Sequence, residues 1–442
     1  MADSGKNKSA SVPTHRLSRF ARLGSLATGV AGGMLAEGAR QLAKGNRPNT
    51  RDMLLTPANA KRVADQLAQL RGAAMKVGQL LSMDTGDLLP EELTQILSRL
   101  RSDAKPMPFS QLTKILHDNW GEGWNKSFKQ FSFEPIAAAS IGQVHSAYTK
   151  DGRHLALKIQ YPGVRESISS DVDNVATLLR VSGLIPKEVD FKPLLDEAKI
   201  QLQLEADYAL EGKWIQTYTE LLANEPDYEL PEYYPDYSTE NILAMSFVGG
   251  DQVETLGQKI NQEQRNRVVS LLMSLLFKEI FEFKLVQTDP NFANYQYDIE
   301  SEKLILLDFG ATREYSSKIS SAYRSLMQGA IEENRDAMEQ AATDIGFFQE
   351  FIQQPQREAV LDLFETACEP LTFNGEYDFG TSNLAKRIRE SGMALSTQQD
   401  YWHTPPADAL FLHRKLAGLY LLAAKLKARV NMHQLFLPYM DS

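Results

Sequence analysis

Three residues with chemical potential stand in one stretch, VQTDPNFANYQYDIESEKLILLDFGATREY, which begins at Val286: Asp289, Asn294 five places on, and Asp308 within Asp-Phe-Gly. An Asp that orients a nucleophile's hydroxyl, an Asn five residues later and the Asp of a DFG that together carry magnesium are parts of a phosphoryl-transfer centre. Such a centre also needs a cation for the α and β phosphates. The run LALK supplies Lys158 at the end of an apolar strand, in the manner of a VAIK motif. An ammonium on an apolar strand costs free energy unless a carboxylate pairs with it. The stretch FKPLLDEAKIQLQLEADYALEG offers Glu197, Glu205 and Asp207. Glu197 and Glu205 lie about 80° apart around a helix, so both can lean toward one cleft and spacing leaves the choice open.

A turn that covers phosphates should precede Lys158, and glycines are expected there because they let backbone N–H groups approach phosphate oxygens. This chain has Ala137-Ala138-Ala139-Ser140 instead, followed by Ile141-Gly142-Gln143-Val144. Each added Cβ limits φ and holds the backbone back, so the cradle must differ in kind, with the Ser140 hydroxyl standing in for an N–H. In the hinge-like run NILAMSFVGG, adenine contact is expected through backbone groups at Met245. Ser246 stands there in place of an acidic residue.

The elements that must hold these residues follow from periodicity. The stretch KRVADQLAQLRGAAMKVGQLLS reads as a long helix from Ala60 to Leu81, and Pro90 opens a second in PEELTQILSRLR. Residues 131–162 alternate as strands around the turn signal Lys150-Asp151-Gly152, which predicts a hairpin. Helical periodicity returns from Arg165 to about Leu222, with a break near Gly183 to Pro186, and two short strand candidates, YELPEYYP and NILAMSFVGG, follow. From Asn261 the chain reads as mostly helical. Strands early and helices late make an α+β body of two lobes. The implied division is an arm over 1–50, a helical extension over 51–110, a strand-bearing lobe over 111–250 and a helical lobe over 251–442.

Composition narrows the partners. The single Cys368 excludes an intramolecular disulfide and any cysteine-based zinc cluster. A net charge of −10 argues against nucleic acid. The arm runs against that balance, with eight Lys or Arg in its first 48 residues against Asp3 and Glu37. Its apolar stretch from Leu23 to Ala36, with Gly29 and Gly33 in GxxxG spacing, is shorter than the roughly 20 residues that span a bilayer. It reads as an interfacial or packed helix suited to anionic lipid. The histidines, His145 and His413 among them, read as structural.

The motifs AAMKVGQLLS, AAASIGQVH, LALKIQYPGV, LEADY, QTDPNFAN and LLDFGA, in that order, resemble the AarF/UbiB family of atypical protein-kinase-like proteins over roughly residues 55–440. The QTDPN loop is similar to that of the ubiquinone-biosynthesis branch. The resemblance implies a protein-kinase-like fold whose KxGQ segment, here Lys76, Gly78 and Gln79, folds over the cleft and regulates it together with Glu205 and Asp207. Lys76 and Gln79 are i and i+3 and so share a helix face. Gly78 in mid-helix costs about 1 kcal/mol, which close packing against another backbone would explain. The resemblance further implies ATP or ADP with Mg2+. Lys158 is then on the phosphates and paired with Glu205 or Glu197, Asn294 and Asp308 are on the metal, and Asp289 is catalytic. With the peptide entrance covered, water is the expected nucleophile. The implied role is ATP hydrolysis supporting prenylated-quinone biosynthesis, with a quinone precursor, anionic lipid and other biosynthetic enzymes as partners. The implied place is peripheral to a bacterial inner membrane, or mitochondrial in a eukaryote. A protein or small-molecule kinase and a non-catalytic nucleotide-binding scaffold are the alternatives. Gln287 and Asn291 depart from the histidines of many relatives, which concerns the shape of the loop rather than the role of Asp289.

The basic arm generates a direct test. Each Lys or Arg near anionic lipid contributes about 1 kcal/mol, so liposome flotation should weaken on raising salt and on deleting residues 1–50. Equal flotation of the deletion variant would place the lipid-binding surface elsewhere.

Overall fold

A computed structural model describes residues 40, 67, 70–84, 106–181, 192–289, 291–348, 352–398 and 406–440. The basic arm (Arg40 apart), the PEELTQILSRLR helix and the Gly183 to Pro186 break lie outside the described residues. The chain divides into two compact units, Met1–Lys213 with Glu232–Phe247, and Trp214–Pro231 with Val248–Ser442. The second unit therefore borrows a short segment from the middle of the first.

The first unit is built on a sheet of β1 (Phe128–Phe131), β2 (Ala137–Ala138), β3 (Gly142–Thr149), β4 (His154–Gln160) and, later in the chain, β5 (Ile242–Ser246). Its order is β1-β3-β4-β5, with β2 paired to β3, and the pairings are antiparallel. The expected hairpin turns at Lys150 to Gly152, where Gly152 takes φ 97°. Strand β4 lies between two neighbours and shows why its alternation matters. Leu155, Leu157 and Ile159 join one core with Leu112, Ile115 and Leu116 of the helix Phe109–Trp120, each contributing about 2 kcal/mol on burial. Because side chains alternate across a strand, Ala156, Lys158 and Gln160 share the other face. Gly142 is demanded by sheet contact, since a Cβ there would stand 2.3 Å from the Ile159 carbonyl oxygen.

Among the described residues five helices accompany this sheet: α1 (Arg71–Asp84), α2 (Phe109–Trp120), α3 (Val164–Val181), α4 (Lys192–Glu205) and α5 (Tyr208–Leu221), which runs on into the second unit. Helix α1 packs on α3 and α4. Where periodicity suggested helix through Leu222, the chain breaks between Glu205 and Tyr208. The Asp207 side chain caps the restart by accepting the Leu210 N–H at 3.1 Å, an N-cap contact of about 1 kcal/mol.

In the second unit, α6 (Gln262–Phe277) begins at a capping box of Asn261 and Gln264 and ends in a π turn, Lys278–Phe283. Strand β6 (Leu285–Gln287) follows, then β7 (Tyr295–Asp298), β8 (Lys303–Leu306) and β9 (Thr312–Glu314). Strands β7 and β8 form an antiparallel hairpin, and β9 returns to pair with β6, setting Thr312 opposite Gln287. Helices α7 (Ser317–Ile331), α8 (Arg335–Ile345), α9 (Gln354–Thr372), α10 (Leu384–Gln398) and α11 (Ala407–Leu426) follow. No helix among the described residues is long and apolar enough to cross a membrane.

His413, on α11, is a buried part of this packing. It stacks on Phe347 at 5.2 Å and meets the Tyr323 hydroxyl at 3.0 Å. Burial lowers it from 6.5 to about 4. An unfolded chain therefore takes up this proton as pH falls through 6.5, and the folded one does so only near 4, so stability is lost across that window. The full loss is about 3 kcal/mol. Urea midpoints should fall more between pH 7 and pH 5 in the parent than in His413→Gln, and parallel pH dependences would refute a neutral buried imidazole.

Candidate functional site

Each unit carries one set of the residues in question. In the first, Lys158 is 6% exposed on the sheet face opposite the aliphatic core. Both carboxylate oxygens of Glu211 accept from its Nζ, at 2.9 and 3.0 Å, and the Tyr208 ring lies 5.4 Å from the ammonium. Glu211 thus stands where Glu205 or Glu197 was expected. The expectation failed because it treated the stretch as one helix. The break after Glu205 starts α5 in a new direction, and Glu211 comes into reach on its first turn. Gln160, two residues beyond Lys158, fastens the break by donating from Nε2 to the Ala206 carbonyl at 2.8 Å. Asp207, expected to regulate, is thus the cap of the helix that brings Glu211 to Lys158.

Glu205 has a different task. Its carboxylate is 2.6 Å from Lys76 Nζ, and its other oxygen accepts the Ser140 hydroxyl. Lys76 is 3% exposed, so this is a buried ion pair, and removing one partner of such a pair costs about 3–5 kcal/mol. The KxGQ helix α1 is thereby tied to the alanine turn. The two also meet by backbone: a Cβ on Gly72 would lie 2.8 Å from the Ser140 carbonyl oxygen. Gly78 is buried, and Gln79 follows on α1 with its side chain outside the described residues. Glu197 is half-buried on α4, two turns before Glu205.

The alanine stretch is tighter than a phosphate-covering loop was expected to be. Ala137 and Ala138 form β2, opposite Val144 and Gln143, and the Ala139 N–H closes the turn on the Gly142 carbonyl at 3.0 Å. Behind it runs a buried relay: the Met107 N–H donates to Gln143 Oε1 at 2.9 Å, Gln143 Nε2 meets His145 Nε2 at 2.7 Å, and His145 Nδ1 meets the Ser132 carbonyl at 2.8 Å. Burial lowers the His145 pKa, in keeping with its structural reading. Met245 on β5 pairs with Ala156, and the Ser246 hydroxyl accepts the Glu232 N–H at 2.8 Å.

In the second unit, Asp289, Asn294 and Asp308 come together through hydrogen bonds between their segments. Thr288 donates to the Ala311 carbonyl with both its N–H, at 3.0 Å, and its hydroxyl, at 2.7 Å, and the Leu307 N–H donates to the Asn294 carbonyl at 3.0 Å. Asp289 accepts the Asn291 N–H and the Asn294 Nδ2, each at 3.3 Å. That bond commits an amide donor of Asn294 to Asp289, and the amide oxygen is the atom of that side chain that a cation could use. The Gly310 N–H fixes the Asp308 carboxylate at 3.0 Å. Among the described residues no three His, Cys, Asp or Glu gather to hold a metal. An Asp with an Asn suits a hard ion such as Mg2+, which takes its other ligands from phosphate and water.

Sequence reading missed Glu211 and Gln160. One signal for them was available: a lysine on a strand needs a carboxylate, and the Asp207-Tyr208 junction is a cap-like restart that adds Glu211 to the candidates.

The chain is similar to one known family and to three known proteins. The profile of the ABC1 atypical kinase-like domain matches residues 99–342. The chain is 38% identical over 434 residues to the mitochondrial atypical kinase COQ8 of Saccharomyces cerevisiae, covering 97% of this chain and 85% of that one. It is 36% identical over 435 residues to the mitochondrial atypical kinase COQ8B of Rattus norvegicus, covering 98% and 82%. In fold it is similar to the Mycobacterium tuberculosis protein Rv3197, solved with erythromycin, at a TM-score of 0.58 and 24% identity over 85% of this chain and 95% of that one.

The two lysine pairs can be told apart chemically. An ammonium that loses its carboxylate titrates lower and reacts faster with amine-modifying reagents. Mass-spectrometric labelling should rise at Lys158 in Glu211→Gln and at Lys76 in Glu205→Gln. A rise at Lys158 in Glu205→Gln alone would reverse the assignment.

Proposed function

The chain belongs to the ABC1 atypical kinase-like family, as its motifs led us to expect, and has a mixed α+β, kinase-like fold; on that premise we propose that it is a Mg-nucleotide-dependent ATPase. Lys158, held by Glu211, contacts the α and β phosphates. Asn294 and Asp308 hold Mg2+, which neutralises charge on the phosphates when bound. Asp289 orients the nucleophile.

The observation that carries this reading is the junction of Asp289, Asn294 and the DFG strand, where an amide donor is turned toward Asp289 and a backbone N–H toward Asp308. Two acids and an amide so restrained are preorganised for charge that develops in transfer. Water as the nucleophile is what the family's KxGQ segment implies, and here that helix is fastened to the alanine turn through Lys76, Glu205 and Ser140. The homology to the mitochondrial COQ8 kinases supports a role in ubiquinone biosynthesis, exercised at a membrane surface in a mitochondrion or at a bacterial inner membrane, with a quinone precursor and other enzymes of the pathway as partners.

Phosphate release and nucleotide affinity separate the roles. Asp308→Asn should abolish the thermal stabilisation given by Mg-nucleotide. Asp289→Asn should still bind but turn over at least about tenfold more slowly, or about 1.4 kcal/mol in barrier. Undiminished stabilisation of Asp308→Asn by Mg-nucleotide would sink the metal assignment.

A further inference from the structure

The second unit buries a charged pair that the proposed chemistry does not use. Glu279 sits in the π turn at 0% exposure, and Lys415 on α11 is 3% exposed. Lys415 Nζ bonds one oxygen of the Glu279 carboxylate. The other oxygen takes the Tyr218 hydroxyl at 2.9 Å and the Gln287 backbone N–H at 3.2 Å, while the Tyr218 hydroxyl also lies 3.1 Å from the Leu285 carbonyl. Burial pushes the carboxyl up and the ammonium down, and each is the other's compensation. Two hydrophobes of similar volume would be cheaper to bury than this pair, so stability alone does not account for it.

Its placement does. Leu285 and Gln287 are the ends of β6, and Asp289 follows two residues later. The turn that points Glu279 inward is of the wide, i→i+5 kind that recurs at functional sites. It is pinned from the other side by the Ser320 hydroxyl on the Ile280 carbonyl at 2.7 Å. Phe309 of the DFG packs 4.8 Å from the Tyr218 ring, so the same tyrosine borders both carboxylate segments.

We propose that Glu279 is a positioning residue for the reaction at Asp289: Lys415 and Tyr218 hold its carboxylate so that it fixes the backbone of β6 and thereby aims Asp289. The inference rests on the reading of Asp289 as the group that orients the nucleophile.

Two measurements on the full chain test it. Backbone hydrogen exchange over residues 285–289 should quicken at least tenfold in Tyr218→Phe and in Lys415→Met, with strand β4 unchanged. Turnover in phosphate release should fall at least tenfold, with the nucleotide KM within twofold of the parent. The double variant Glu279→Gln/Lys415→Met removes both charges but keeps an acceptor for the Gln287 N–H, and it should regain much of the protection and the turnover. Unchanged exchange in Tyr218→Phe overturns the proposal, whatever the activity. So does lost protection with undiminished turnover, or a loss of turnover that only tracks the folded fraction. A parent that releases no phosphate would fail the functional reading, and the exchange data would then still decide whether Glu279 fixes the loop.

Discussion

An ammonium placed inside an apolar sheet must be neutralised where it stands, and much of the first unit follows from that demand at Lys158. The carboxylate that answers it arrives on a helix, the helix has to start at the right place, and three side chains see to its start: Gln160 holds Ala206, Asp207 caps α5, and Glu211 then faces the lysine. The strand that carries Lys158 also carries Gln160 on the same face, so the charge and the anchor of its partner are two residues apart. Position, rather than any single strong contact, supplies the ordering.

In the second unit the reactive acids meet amide donors. Asp289 and Asp308 are held by amide donors from their own neighbours, and the two segments are stitched by Thr288 and Leu307. Short hydrogen-bonded turns of this sort restrain the direction of a carboxylate. A buried ionic contact, Lys415 with Glu279, meets β6 at the Gln287 N–H.

Much of this was legible. The alternation of LALKIQ announced a strand, and Lys150-Asp151-Gly152 announced its turn. The spacing of Asp289, Asn294 and Asp308 announced residues that the fold indeed brings together. The partner of Lys158 was not legible, because helical periodicity runs unbroken through LEADYAL while the backbone does not. Its break depends on Gln160, about 46 residues earlier in the chain, and a local reading has no access to such a contact. Glu205 was offered with Glu197 as a partner of Lys158, whereas the fold sets it against Lys76, since Lys76 lies in a segment whose packing on α4 is a tertiary matter. Tyr218 and Lys415 were invisible for the same reason, each an ordinary residue in a helix pattern until the fold sets them around Glu279.

The π turn makes residue count, as distinct from residue chemistry, a constraint on this protein. A turn closed by i→i+5 bonds holds an extra residue relative to the α-helix it continues. Removing one position ahead of Glu279 would restore regular winding and swing the carboxylate by about 100° around the axis, away from the Gln287 amide. A descendant could then retain Glu279, Lys415, Tyr218 and every motif residue and still lose the contact. The segment from Lys278 to Phe283 should therefore tolerate substitution at its exposed positions far better than insertion or deletion.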